Sequence, residues 1–220
     1  ALSKIYIRNI KTNNEEELKI SEEKVISPGI SLKQKDKDTD IIRIGYDSPK
    51  TPSRTFEYNI KTKEKKLVKE QIVPSGHNRD DYIVERLNCE SNDGQQIPMT
   101  ITYHKNTKLD GSAHVLLYGY GSYGMSVGPS FSSTRLSLIN RNIIWVTCHI
   151  RGGMERGMRW WKEGKMLNKK NTFTDFISCT KFLIEKKYTS KKKIIAFGGS
   201  AGGLLLGSTI NQIPDLLLGA

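Results

Sequence analysis

The stretch Ile194-Ile195-Ala196-Phe197-Gly198-Gly199-Ser200-Ala201-Gly202-Gly203-Leu204-Leu205-Leu206 decides the reading of this 220-residue chain. It is an apolar run, a serine set among glycines, and a second apolar run. Together these read as strand, sharp turn and helix. The spacing of Gly198, Ser200 and Gly202 is G-x-S-x-G, the pattern of a nucleophile elbow, whose serine takes a strained backbone conformation and stands clear of the sheet. Glycines on either side let strand and helix approach where a Cβ would clash. Free N–H groups and the dipole at the helix start favour negative charge. That makes Ser200 a candidate nucleophile and the Ala201 N–H a candidate oxyanion donor. Gly-Gly-Ser is also ordinary loop chemistry; the buried-looking strand before and the apolar helix after separate the two readings.

Upstream, the pattern supplies the rest of a parallel α/β sheet. His114-Val115-Leu116-Leu117-Tyr118 and Asn142-Ile143-Ile144-Trp145-Val146-Thr147-Cys148-His149-Ile150 are apolar runs of buried-strand length. A helix is predicted over 131–140 with Ser130 as its cap, and a second from Thr172, capped by Asn171 or Thr172. On the second, Phe173, Phe176, Ile177, Thr180, Leu183 and Ile184 share one face. Asn92-Asp93-Gly94 predicts a hairpin between two strands over 81–89 and 97–103. Alternating strand and helix with right-handed crossovers gives a doubly wound, mostly parallel sheet.

Residues 1–75 read differently, as short β segments: Lys4-Ile5-Tyr6-Ile7-Arg8, Ile41-Ile42-Arg43-Ile44 and Arg54-Thr55-Phe56-Glu57-Tyr58. Tyr6…Asn9-Ile10-Lys11-Thr12 is repeated fifty residues on as Phe56…Asn59-Ile60-Lys61-Thr62. Such a period is that of a β-propeller blade. The predicted organisation is therefore the last blade material of a propeller over 1–75, and the first part of an α/β domain over 76–220. The chain reads as truncated at both ends. Residues 33–40 read as a solvated connector.

Composition narrows the function classes. The apolar fraction is 36%, and no run approaches the ~18 residues that span a membrane. The opening ten residues hold no apolar core of a secretory leader. Cys89, Cys148 and Cys179 are odd in number and far apart in sequence, which argues against a disulfide framework and for a reducing, cytoplasmic setting. No Cys/His spacing suggests a metal, and no cofactor motif is present. The net charge of +12 raises nucleic-acid binding, but the lysines are scattered and no such motif accompanies them, so a solvated basic surface is expected.

Four motifs carry a resemblance: Tyr118-Gly-Tyr-Gly-Ser-Tyr-Gly124, His149-Ile-Arg-Gly-Gly153, Lys170-Asn-Thr-Phe-Thr-Asp-Phe176 and Gly198-Gly-Ser-Ala-Gly-Gly203. In this order and at these spacings the chain resembles the prolyl oligopeptidase family of serine peptidases, nearest its oligopeptidase B branch. The resemblance implies a β-propeller joined to an α/β-hydrolase domain. It implies cleavage of short peptides after Arg or Lys, through an acyl-enzyme on Ser200. It makes Tyr120 the oxyanion tyrosine beside the Ala201 N–H, and has Tyr123 line the pocket for the residue before the scissile bond. A prolyl-specific relative and a non-catalytic hydrolase-like scaffold are the alternatives. The oligomeric state is not legible.

A serine peptidase of this kind needs Asp or Glu and then His after the serine. His77, His104, His114 and His149 all precede Ser200, and Asp215 alone follows it. The triad Asp and His are therefore expected beyond this chain, and these 220 residues by themselves are expected to be inactive.

Overall fold

A computed structural model describes residues 2–31 and 38–220. Most of the connector expected at 33–40 lies outside the described residues. The chain divides into two compact units, one of Leu2–Arg79 with Gly128–Ser132, the other of Asp80–Val127 with Ser133–Ala220.

The first unit is all β. Strands β1 (Tyr6–Arg8) and β2 (Glu15–Glu17) form a hairpin. Strands β3 (Ser27–Ile30), β4 (Ile41–Asp47), β5 (Arg54–Asn59) and β6 (Lys65–Glu70) form a four-stranded antiparallel meander in sequence order. The alternation in β4 and β5 turns Ile44, Tyr46, Phe56 and Tyr58 inward, where they cluster with Ile5, Leu18 and Ile20. The repeated Asn-Ile-Lys-Thr string makes the same turn twice. Asn9 Oδ1 accepts from the N–H groups of Lys11 and Thr12 at 2.9 and 3.1 Å, and Asn59 Oδ1 from those of Lys61 and Thr62 at 2.9 and 3.0 Å. Each turn then closes through a left-handed residue, Asn13 (φ 62°) or Lys63 (φ 64°). β6 carried no strand signal of its own. Its Lys-Lys-Leu-Val-Lys-Glu sequence is exposed along its whole length at the sheet edge, where lysines deter further pairing.

The second unit is a mixed α/β sheet. Strands β7 (Tyr82–Glu90) and β8 (Gln96–His104) form the hairpin expected at Asn92-Asp93-Gly94, with Gly94 at φ 79°. Then follow β9 (Val115–Tyr118), helix α1 (Ser133–Ile139), β10 (Ile144–Cys148), helix α2 (Met158–Lys162), a 3-10 turn (Met166–Asn168), helix α3 (Lys170–Glu185), β11 (Ile194–Phe197), helix α4 (Gly202–Gln212) and β12 (Leu217–Gly219). The sheet order is β12-β11-β9-β10-β8-β7. β12, β11, β9 and β10 run parallel; β8 is antiparallel to β10, and β7 to β8. Register sets Val115, Ile144 and Ile194 side by side, and likewise Leu117, Val146 and Ala196. These residues are buried together with Phe176, Cys179 and Leu183 of α3 and Leu205 of α4. The other face carries Tyr118, Trp145 and Phe197 in mutual ring contact, with Arg135 of α1 over Trp145 at 4.7 Å.

Two helix starts differ from expectation. α1 begins at Ser133, because the Phe131 N–H donates to Asp47 Oδ2 at 3.2 Å and the His77 ring meets Phe131 edge-on, so 128–132 pack with the β unit. α3 begins at Lys170 with Lys169 as N-cap. Asn171 and Thr172 do not cap it. Thr172 Oγ1 donates to Arg151 O at 2.8 Å, and Asn171 Nδ2 to Glu163 O at 2.9 Å. Long-range main-chain acceptors have taken the side chains that local sequence would assign to capping.

The three cysteines, distant in sequence, meet in the core. Cys89 on β7 and Cys179 on α3 bring their sulfurs to 3.3 Å as free thiols, and Cys148 is buried nearby on β10. Their contact and burial hold the Cys89 thiol protonated. No helix among the described residues is long and apolar enough to cross a membrane, and no metal-holding cluster occurs among them.

Candidate active site

In the sheet order, β9 leads to β10 on one side, while β11 leads to β12 on the other. The connections diverge between the carboxyl ends of β9 and β11, and at such a switch point a crevice opens. Ser200 follows β11 there and Tyr120 follows β9.

Ser200 is exposed, with φ 54°, in the left-handed region that a residue with a Cβ adopts only under strain. The turn is tight because three backbones converge. A Cβ on Gly198 would lie 2.9 Å from Gly119 O, and one on Gly202 would lie 3.2 Å from the same oxygen and 3.8 Å from Tyr120 Cδ2. The Tyr120 ring therefore lies against the first turn of α4. The Gly202 and Gly203 N–H groups are taken by Gly199 O (2.8 Å) and Ser200 O (2.9 Å). The Ala201 N–H and the Tyr120 hydroxyl have no acceptor among the described residues. Tyr123 is 77% exposed, at φ 57°. Of the expected residues, the fold thus gathers Ser200, Ala201 and Tyr120 at the carboxyl ends of β11 and β9 and leaves Tyr123 further along the β9 loop.

That loop is braced by residues the sequence reading did not single out. Gly152 follows β10 at φ 99°; its carbonyl accepts from the Gly124 N–H at 2.9 Å, and a Cβ on it would sit 1.9 Å from Gly121 O. Beside it, Arg151 is 2% exposed yet fully paired. It donates to Asp175 through Nε (2.9 Å) and Nη2 (2.6 Å), and to Asp93 through Nη1 (2.5 Å). Asp175, 0% exposed, also accepts from the Arg151 N–H at 3.0 Å and the Ser91 hydroxyl at 2.8 Å. Burial pulls the guanidinium pKa down, but the hydrogen bonds it donates to Asp175 and Asp93 outweigh that and raise it above its ordinary value. The same bond holds the Asp93 carboxyl below its ordinary range. Arg151 and Asp175 both lie in motif strings quoted above. The available signal was a charge inside the apolar face of α3 and another just past an apolar strand.

The histidines are engaged elsewhere. His77 belongs to the β unit and its Nε2 meets Lys50 O at 2.7 Å. His104 Nδ1 accepts from the Asn106 N–H at 3.2 Å, and His114 is exposed ahead of β9. His149 is buried, with Nε2 against Arg86 Nη1 and Thr100 Oγ1 and Nδ1 3.7 Å from Glu155. Burial, reinforced by the Arg86 charge, lowers its pKa against the opposing pull of Glu155. A histidine held neutral takes up a proton more readily when unfolded, so native stability is lost as pH falls below the unfolded pKa of ~6.5. Urea midpoints are expected to drop between pH 7 and pH 5.5, with this histidine contributing at most about 1.4 kcal/mol per pH unit. The slope should shallow in His149→Gln; an unchanged slope in that variant would exclude His149 as its source.

Residues 129–218 match the model of the prolyl oligopeptidase family. The chain is 42% identical over 210 residues to dipeptidyl aminopeptidase BI of Pseudoxanthomonas mexicana, covering 95% of this chain and 29% of that protein. It is likewise 42% identical over 185 residues to protease 2 of Moraxella lacunata, covering 84% of this chain and 27% of that one. Among solved structures, oligopeptidase B from Trypanosoma brucei, with covalently bound antipain in its closed form, superposes with a TM-score of 0.91 at 32% identity, over 100% of this chain and 32% of that one. The Leishmania major oligopeptidase B gives 0.87 at 33% identity, over 98% and 31%. The chain spans about three tenths of the length of the curated relatives it matches. With the four motifs, the sheet order and these matches in agreement, the chain belongs to the prolyl oligopeptidase family.

Proposed function

We propose that the protein carrying this chain is a serine oligopeptidase that hydrolyses short peptides after Arg or Lys through an acyl-enzyme on Ser200. The observation that carries this reading is the strained, exposed Ser200 past the end of β11, with the unbonded Ala201 N–H beside it and Tyr120 against the same helix turn. Ser200 Oγ adds to the scissile carbonyl carbon as its proton passes to a base. The carbonyl oxygen takes the negative charge, and Tyr120 Oη–H and Ala201 N–H stabilise it. The C–N bond then breaks, the base returns the proton to the leaving amine, and water repeats the sequence on the ester. Tyr123 lines the pocket for the residue before the scissile bond.

None of the four histidines serves as that base: the only buried one beside the sheet, His149, is held by Arg86 and Thr100. The proposal therefore requires the triad His and Asp from outside residues 1–220. In the same reading the sheet unit is part of an α/β-hydrolase domain, and the four-stranded meander is a propeller blade.

Labelling with a fluorophosphonate and cleavage of paired arginyl and prolyl amides test the reading on the protein at its natural length. The expected result is one label, on Ser200, and turnover of the arginyl amide. Turnover of the prolyl amide alone would keep the serine peptidase and replace the specificity. Neither label nor turnover would overturn the reading in favour of a non-catalytic scaffold.

A further inference from the structure

Lys169 breaks two local rules. It is the N-cap residue of α3, at the positive end of a helix where a cation is electrostatically disfavoured. It is also half-buried, with no carboxylate within salt-bridge distance among the described residues. Burial pulls its pKa down accordingly. A misplaced charge of this kind persists when the groups it touches need it.

Those groups are in the loop after β9. Lys169 Nζ donates to Gly121 O at 2.5 Å and to Ser122 Oγ at 2.9 Å. Here the loop turns repeatedly through left-handed backbone: Gly121, Tyr123 and Gly124 have φ of 67°, 57° and 67°, and of these Tyr123 carries a Cβ strained at that angle. Two glycines flanking a strained tyrosine leave the conformation to be set by the contacts the loop makes. The loop is tied before Tyr120 by the Gly119 N–H to Phe197 O (3.1 Å) and well after it by the Gly124 N–H to Gly152 O (2.9 Å). Immediately after Tyr120, the side-chain tie is Lys169. An ammonium suits that place because it offers three donors and can serve a carbonyl and a hydroxyl together.

We propose that Lys169 is a positioning residue for the reaction, holding the backbone that follows Tyr120 so that the Tyr120 hydroxyl is presented to the oxyanion forming at Ser200. This inference rests on the serine peptidase reading. An oxyanion donor displaced by about 1 Å loses much of its effect on the transition state while substrate binding persists.

A double-mutant cycle on the protein at its natural length provides the test, using Lys169→Met and Tyr120→Phe with an arginyl amide. Lys169→Met is expected to lower kcat about 10- to 100-fold with KM changed less than about threefold. In the Tyr120→Phe background the same substitution should cost less than about threefold, because the group it positions is gone. Equal cost in both backgrounds, or a loss carried by KM, would overturn the inference and leave a merely structural lysine. If Tyr120→Phe itself costs nothing while Ser200 still takes the label, the oxyanion role of Tyr120 fails, and this inference with it. If Ser200 takes no label, the peptidase reading fails first. Should Lys169→Met not fold, Ser122→Ala removes one of the two acceptors without touching the charge. Its smaller loss in kcat, about threefold to tenfold, must likewise vanish in the Tyr120→Phe background, and additivity there would overturn the inference.

Discussion

In the protein at its natural length, replacing Ser200 by alanine is expected to reduce kcat/KM on an arginyl amide by about 10⁴-fold or more, the scale seen when a serine nucleophile is removed and only binding and oxyanion donors remain. Stability should hardly move. Ser200 is exposed, and alanine keeps both the Cβ and the left-handed backbone at φ 54°. Ser200→Gly separates the two properties further. It removes the nucleophile and also the steric penalty of a Cβ at that φ, about 1 kcal/mol or more. The greater freedom of unfolded glycine takes back part of this. The glycine variant should therefore be as inactive as the alanine one and up to about 1 kcal/mol more stable. Steady-state rates and urea midpoints of the three proteins check this together. Alanine retaining a tenth of the activity would end the acyl-enzyme reading; glycine destabilising the fold would show that the turn stores no strain.

Asp175→Ala is expected to be the most destabilising single change. It strands the Arg151 guanidinium, 2% exposed, with only Asp93 on one side, and removes the acceptor of the Ser91 hydroxyl and the Arg151 N–H. Breaking one side of a buried pair costs about 3–5 kcal/mol, against a total of roughly 5–15 for a typical domain. Asp175→Asn keeps the shape and loses the charge, so an intermediate loss is expected. Arg151→Met with Asp175→Leu should recover much of it, since removing both charges leaves neither unpaired. Denaturant unfolding of the set decides: a loss below about 1 kcal/mol for Asp175→Ala would show that solvent or relaxation satisfies Arg151.

The two substitutions act on different kinds of information. The elbow around Ser200 was legible because its causes are local: an apolar run, glycines at fixed offsets and a second apolar run settle strand, turn and helix within thirteen residues. The hairpin at Asn92-Asp93-Gly94 was legible for the same reason. The repeat of the Asn9 string at Asn59 was legible too, but that each asparagine closes a turn on N–H groups two and three positions on came from the structure.

What sequence could not reveal is who meets whom across long separations. Arg151 finds Asp93 in one hairpin turn and Asp175 in a helix, 58 and 24 positions away. Lys169 finds Gly121 48 positions back. Cys89 finds Cys179 across 90. Phe131 and Ser132 leave the expected helix, and Asp47 accepts the Phe131 N–H. Each of these polar groups is buried or half-buried, so each had to find a partner somewhere. Local propensity states that need but not its answer; only closing the sheet, which sets β9 between β10 and β11, brought the partners within reach. The strand–turn–helix that presents Ser200 and the hairpin at Asn92-Asp93-Gly94 were therefore written locally in the sequence. The motif resemblance named Tyr120, but the contact of its ring with the first turn of α4, and the ties from Lys169 and Gly152 to the loop after it, depend on the closed sheet, because those partners lie far apart in the chain.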